Sequence, residues 1–279
     1  MKGAAVAAHI REVLTERIHA CHQRGIHPKI AVLRVGERPD DLAYEKRVVG
    51  NCGKVGLECE VRVLDGQISQ TDFEREFDAV NSDGDIHGIL LFRPLPEQLD
   101  EEAICRRIDP KKDIDCMNPV NLNKVFTGEK DRFAPCTPEA VVEILKYYQV
   151  PIQGANAVII NRSMVLGKPL AMLLLEENAT VTLCHSKTVE TERLTREADI
   201  VVTGIGRAEY FDDRYFSEKN TVIDVGINFI EGKMAGDVRF EQAEPIVRAI
   251  TPVPGGVGAV TSMILLKHAV DAAWRRENE

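Results

Sequence analysis

Apolar positions recur along the chain with two periods, and the two periods alternate. Val6, Ile10, Val13, Leu14 and Ile18 fall on one face of a 3.6-residue repeat, which predicts an amphipathic helix over 4–24. Lys29–Val35 is a short apolar run closed by Gly36 and reads as a strand. A helix is expected from about 40 to 55, ending near Gly56, and Glu58–Leu64 alternates like a strand. Ser69 is placed to cap a further helix, with Asp72 supplying negative charge near its N-terminus. Gly88–Phe92 reads as a buried strand stopped by Pro94 and Pro96. Strands alternating with helices imply a parallel sheet covered on both faces.

A proline-marked joint, Phe133-Ala-Pro-Cys-Thr-Pro138, separates this series from a second one. Thr137 is expected to cap a helix that has Pro138 at its first position and runs to about Tyr148. Strands follow at Ala155–Ile160, Thr180–Cys184, Ala198–Thr203 and Thr221–Val225, with helices over 165–177 and 259–275. There is no internal repeat and no low-complexity segment.

Composition narrows the function classes. The 279 residues suit one large or two modest domains. A net charge of −9 disfavours nucleic acid as a partner, and Lys111-Lys112 and Arg275-Arg276 sit among acids rather than in a basic patch. No apolar run approaches the roughly 18 residues of a membrane span, and the N-terminus lacks a secretory pattern. Seven scattered cysteines without a CxxC pair read as reduced thiols of a cytoplasmic protein, with no metal site.

The segment after the strand ending at Ile160 reads Asn161-Arg162-Ser163-Met164-Val165-Leu166-Gly167-Lys168-Pro169. A strand, a tight loop and a helix can present backbone N–H groups and a positive helix end to phosphates. The fingerprint GxGxxG is absent, so the loop alone reads equally well as a plain turn with a capping serine.

Several segments together resemble the FolD family of methylenetetrahydrofolate dehydrogenase/cyclohydrolases. The family's G-R-S-x-x-V-G-x-P loop is matched at Arg162, Ser163, Gly167 and Pro169, with Asn161 for the first glycine and Leu166 for valine. Asn161 tolerates positive φ better than most residues, so the turn is expected to survive there. Cys184-His185-Ser186-Lys187-Thr188 matches the family's C-H-S-K-T, Thr221–Asn228 its I-D-V-G-I-N strand, and Gly236-Asp237-Val238 its G-D-V. Thr251-Pro252-Val253-Pro254-Gly255-Gly256-Val257-Gly258 matches its longest signature, continued by Ala259-Val260-Thr261 instead of P-M-T.

The resemblance implies an N-terminal α/β catalytic domain, residues 1–137 completed by the C-terminal helix in 259–279, and an inserted Rossmann-type domain over 138–258. It implies cofactor contacts at Asn161, Arg162, Ser163, Gly167, His185, Ser186, Thr203, Gly204, Gly226 and Ile227. The cofactor is expected to be NADP rather than NAD, because a guanidinium makes paired, charge-assisted bonds to a 2′-phosphate. Folate contacts are implied at Tyr44, Asp115, Pro254, Gly255 and Gly256, with folate and nicotinamide face to face. The resemblance also implies a cytoplasmic homodimer working on tetrahydrofolate derivatives in one-carbon metabolism and purine biosynthesis.

Two departures bear on chemistry. The family's Y-x-x-x-K places a tyrosine against the folate ring and a lysine one helical turn on, where it supports hydrolysis. Here Tyr44 matches, but the lysine position is Val48. In Gly88–Pro96 the family's glutamine, which partners that lysine, is Phe92. Neither replacement can act as an acid or base, so the two are expected to line a drier pocket. Lys112-Asp113-Ile114-Asp115-Cys116 keeps both acids of the family's K-D-V-D-G, and Asn118-Pro119-Val120-Asn121 stands where H-P-x-N would. The expectation is therefore NADP-dependent oxidation of 5,10-methylenetetrahydrofolate, with Tyr44 and Asp115 in the site and cyclohydrolase activity weak or absent. The rivals are a conventional bifunctional enzyme using other groups, such as Arg47 or Lys46, and a folate- or nucleotide-binding protein without turnover.

Overall fold

The computed structural model describes residues 1–276; residues 277–279, the end of the segment expected to be 259–279, lie outside it. In chain order the first series is α1 (Gly3–Gln23), β1 (Lys29–Val35), α2 (Pro39–Val55), β2 (Glu58–Leu64), α3 (Gln70–Ser82), β3 (Gly88–Leu91), α4 (Glu101–Arg107) and α5 (Pro119–Thr127). The second is α6 (Cys136–Tyr147), β4 (Asn156–Ile160), α7 (Gly167–Glu176), β5 (Thr180–Cys184), α8 (Thr191–Glu197), β6 (Ile200–Thr203), β7 (Thr221–Asp224), β8 (Asn228–Ile230), β9 (Lys233–Ala235), α9 (Phe240–Ala243), β10 (Ala249–Ile250) and α10 (Val257–Arg276).

The chain divides into two compact units. One holds His9–Lys124, Glu129–Ala134 and the chain from Ser262 on; the other holds Met1–Ala8, Val125–Gly128 and Pro135–Thr261. In the first, β1 is central in a parallel sheet ordered β2-β1-β3. Ala31, Leu33, Val35, Ile89 and Leu91 face a core completed by Phe73, Phe77 and Val80 of α3 and Ile104 of α4. Strand alternation puts Ile30, Val32 and Arg34 on the opposite face, beside Cys59, Val61 and Val63 of β2. The buried side of α2 (Val48, Cys52, Val55) belongs to that face, as the Cys52–Cys59 thiol contact shows. α10 is held to this unit by the ring of His268, whose Nδ1 bonds the Ile114 carbonyl at 2.8 Å.

In the second unit five parallel strands run in the order β10-β7-β6-β4-β5. The chain enters at β4, adds β5 on one side and crosses to β6 on the other. Strand order therefore reverses at β4, which is where ligands bind in open α/β sheets, beyond the carboxyl ends of the strands. In the three-stranded sheet the same reversal occurs at β1.

Three local expectations are corrected. Val13 is 49% exposed, because it lies about 100° around the helix from the buried Leu14 and so falls off the apolar stripe. α6 begins at Cys136 with Pro135 as its N-cap, so Thr137 is already helical and caps nothing. The short helices α4, α5 and α8 and the β8–β9 hairpin carried too few periodic positions to be read. All seven cysteines are free thiols.

Candidate functional sites

The carboxyl ends of β1 and β3 bring the first group of residues together. Phe92 extends the β1–β3 ladder, its N–H donating to the Leu33 carbonyl at 3.0 Å. This sets Phe92 beside Arg34, on the face toward α2. The Tyr44 ring of α2 lies against Phe92, centroids 5.4 Å apart and tilted by 42°. The Arg47 guanidinium stands 5.7 Å from the Tyr44 centroid. Val48 has no exposed surface, and Phe92 is 5% exposed. Val48 therefore lines no pocket: the lysine position has become part of the core, contrary to the expectation that Val48 and Phe92 would together form a drier lining. Arg34, 5% exposed, donates from Nε to Glu45 Oε2 at 2.7 Å and from Nη1 to the Gly36 carbonyl.

Asp115 is half-buried at the end of a loop that its neighbour Asp113 organises. Asp113 is fully buried and accepts from the N–H groups of Met117 and Asn118, each at 2.8 Å, and from Asn121 Nδ2 at 3.0 Å. Burial pushes the Asp113 carboxyl up to about 6, against the lowering effect of those bonds. Asn118 accepts from the Val120 N–H at 2.8 Å across the start of α5 and donates to the Ile108 carbonyl at 2.8 Å. Lys112 is tied to the carbonyls of Asn81 and Asp83, at 2.7 and 2.6 Å, and its pKa is lowered mainly by burial. Sequence reasoning noted that Asp113 is present without seeing that it builds the loop; Asn118 and Asn121, three residues apart, were the available signal.

The second group surrounds the carboxyl end of β4. Asn161 does not adopt positive φ, contrary to expectation; its side chain holds the turn through hydrogen bonds. Its Oδ1 accepts from the Ser163 N–H at 2.8 Å, the Ser163 hydroxyl at 2.7 Å and the Gly167 N–H at 3.0 Å, while Nδ2 donates to the Gly204 carbonyl. Asparagine thus holds the loop and satisfies one of the orphan donors at the start of α7. Gly167 packs so closely under Asn161 that a Cβ there would overlap the Asn161 carbonyl oxygen. Arg162 is exposed and makes no ion pair among the described residues. His185 is half-buried, with Nδ1 accepting from the Lys187 N–H at 3.1 Å, and Ser186 is exposed.

Thr203 is fully buried and turns its hydroxyl to Asp224 Oδ1 at 3.2 Å. Asp224, 3% exposed, accepts from the N–H groups of Gly226 at 2.9 Å, Asp237 at 3.2 Å and Val238 at 2.9 Å. Burial raises its carboxyl to about 6. Asp237 accepts from the N–H groups of Ile205, Gly206 and Arg207 and from Asn228 Nδ2, fixing the loop after β6 that contains Gly204. Ile227 is 60% exposed beside Gly226. Pro254 and Gly255 are exposed and Gly256 is buried. The Gly3 N–H donates to the Gly255 carbonyl at 2.8 Å, and a Cβ at Gly3 would overlap the Gly256 carbonyl.

Residues 1–115 match the catalytic domain, and residues 135–277 the NAD(P)-binding domain, of tetrahydrofolate dehydrogenase/cyclohydrolase. A bifunctional protein FolD of Clostridium botulinum is 51% identical over 274 residues, covering 98% of this chain and 97% of that protein. The FolD structure from Campylobacter jejuni, described as a bifunctional methylenetetrahydrofolate dehydrogenase/cyclohydrolase, superposes with a TM-score of 0.95 at 36% identity, covering 99% of this chain and 98% of that one. The Trypanosoma brucei FolD structure, solved with NADP and an inhibitor, gives a TM-score of 0.92 at 33% identity, covering 100% of this chain and 98% of its own.

Proposed function

The chain belongs to the tetrahydrofolate dehydrogenase/cyclohydrolase family, and from that premise we propose that it oxidises 5,10-methylenetetrahydrofolate with NADP and hydrolyses the 5,10-methenyl product to 10-formyltetrahydrofolate. The observation that carries this is the full-length match, at 51% identity, to a relative named as bifunctional. It favours two activities over the single one expected from Val48 and Phe92, whose positions establish only that the lysine–glutamine pair is absent. NADP is supported by its presence in the trypanosomal relative and by the exposed Arg162 next to the N-terminus of α7.

NADP supplies a hydride acceptor when bound. The protein's own part in hydride transfer is to bind and orient, which asks for no proton shuttle. Tyr44, backed by Phe92, offers a flat surface to the pterin. Asp115 offers a carboxylate that can accept two parallel bonds from an aminopyrimidine edge. Asn161, Ser163 and Gly167 shape the dinucleotide loop. The domain division 1–137 plus 259–279 around 138–258, and the homodimer, belong to the same proposal.

The test is a pair of assays on the purified chain. One follows methylenetetrahydrofolate-dependent reduction of NADP and of NAD; the other follows decay of methenyltetrahydrofolate absorbance without NADP. Enzyme-dependent rates in both, with NADP preferred, are expected. Reduction without methenyl decay would return the protein to a single activity, and binding without either would make it a non-catalytic folate binder.

A further inference from the structure

A bifunctional enzyme must activate water, and the residue that does so by family pattern is absent. The carboxyl end of the three-stranded sheet nevertheless carries a charged pair. Arg34 is the penultimate residue of β1, and Glu45 follows Tyr44 on α2. Their side chains are 6% and 19% exposed and joined at 2.7 Å. A buried guanidinium with one carboxylate is a fixed group, because leaving either partner alone in the interior is unfavourable. Arg34 uses Nε on Glu45 and Nη1 on the Gly36 carbonyl. Only Oε2 of Glu45 is engaged; Oε1 accepts no hydrogen bond among the described residues and stays within reach of solvent.

The neighbouring ionisable groups on α2 do not compete for this role. Both carboxylate oxygens of Asp41 are held by Arg38, at 2.7 and 2.9 Å. Lys46 and Arg47 are exposed cations, and a guanidinium does not accept a proton in water. Asp40, one turn before Tyr44, is exposed and no partner among the described residues fixes it, whereas Glu45, next to Tyr44, has one oxygen fixed by Arg34 and the other open, at the end of the sheet where strand order reverses.

We propose that Glu45 is the general base of methenyl hydrolysis in this chain and that Arg34 is its positioning residue; this rests on the bifunctional reading above. Water adds to the methenyl carbon, forming the C–O bond while the C=N π pair moves onto nitrogen and one water proton passes to Glu45 Oε1. The bond from carbon to N5 then breaks, N5 takes that proton back, and the hydroxyl proton leaves to solvent as the formyl group forms. One cation and one water thus become formyltetrahydrofolate and one proton. The arrangement moves the base from the lysine position to the residue after the tyrosine, which explains how Val48 can be core in a hydrolytic enzyme.

The experiment compares wild type, Glu45→Gln and Glu45→Ala in both assays. Glutamine still accepts from Arg34, so the fold around Tyr44 is kept. Hydrolytic kcat is expected to fall at least ~100-fold more than the rate of NADP reduction, with KM for methenyltetrahydrofolate within about threefold. Added formate is expected to restore hydrolysis to Glu45→Ala in proportion to its concentration, a response that a purely structural role would not give. Glu45→Gln that hydrolyses at the wild-type rate, or that loses both activities in parallel, overturns the assignment of Glu45 alone. Wild type without enzyme-dependent hydrolysis overturns the bifunctional reading and the assignment together.

Discussion

Replacing Asn161 by glycine separates a motif-based argument from a structural one. Glycine is the residue the family motif places there, so pattern matching expects Asn161→Gly to improve NADP binding. The structure argues the reverse. The Asn161 side chain makes four hydrogen bonds, to the Ser163 N–H and hydroxyl, the Gly167 N–H and the Gly204 carbonyl. Neutral bonds contribute about 0.5–1.5 kcal/mol each, and at this half-buried site water recovers part of that, leaving about 2–3 kcal/mol. Glycine adds about 0.5–1 kcal/mol of backbone freedom to be lost on folding. A total near 3 kcal/mol corresponds to a melting point lower by roughly 6–10 °C. A loop that is only fractionally in its binding arrangement weakens apparent affinity by that fraction, so NADP dissociation is expected to rise tenfold or more. Thermal unfolding and calorimetric titration with NADP measure the two effects. Asn161→Asp, which keeps the acceptor but opposes the Gly204 carbonyl, should fall between. Asn161→Gly melting within about a degree of wild type and binding NADP as tightly would refute the reasoning.

Other consequences are open to measurement. The carboxyls of Asp113 and Asp224 are both pushed up to about 6 from the ordinary 3.8, chiefly by burial. A carboxyl raised on folding contributes stability that is full below its unfolded value and is lost as pH rises through about 6; for each group this is at most about 3 kcal/mol. Urea unfolding between pH 4 and 7 should therefore show a steeper decline for wild type than for Asp224→Asn, and equal slopes would contradict the burial argument. Phe92→Ala should lose about 3–5 kcal/mol of stability from the core, and about 0.5–1.5 more from the Tyr44 ring pair, with a higher KM for the folate substrate; an unchanged denaturation midpoint would mean that the cavity collapses. Arg162→Ala should weaken NADP by roughly 10–100-fold while leaving NAD nearly unaffected, and equal losses for both would place the guanidinium elsewhere than on a 2′-phosphate.

The regular elements were legible because their signals are local. Lys29–Val35 and Glu58–Leu64 appear as strands with the bounds their apolar runs suggest, and Ser69 caps α3 through the Asp72 N–H as its side chain allows. The α6 start was misplaced because Thr137 carries a capping hydroxyl, whereas the N-cap is Pro135, with its fixed φ, two residues earlier. Candidate site residues were legible only where a residue type announces its chemistry, as the exposed Arg162 and the half-buried Asp115 do. Thr203, expected at the cofactor, donates its hydroxyl to Asp224, a contact its sequence position does not announce. Asp113, Asp224 and Asp237 act by collecting N–H groups from loops distant in sequence, which no spacing rule encodes. Glu45 carries no signal of its own in the sequence. It becomes distinctive only when β1 and α2 are folded together and Arg34 is found beneath it.

The bond between the Gly3 N–H and the Gly255 carbonyl has a consequence for the order of events in synthesis. The two residues are separated by nearly the whole chain, so the first turn of α1 has no docking place until the segment around Gly255 has left the ribosome. Such long-range closures form late and slow the folding rate. The signature loop and the chain's opening residues can therefore settle together only once nearly the whole chain, including the edge strand β10, is available.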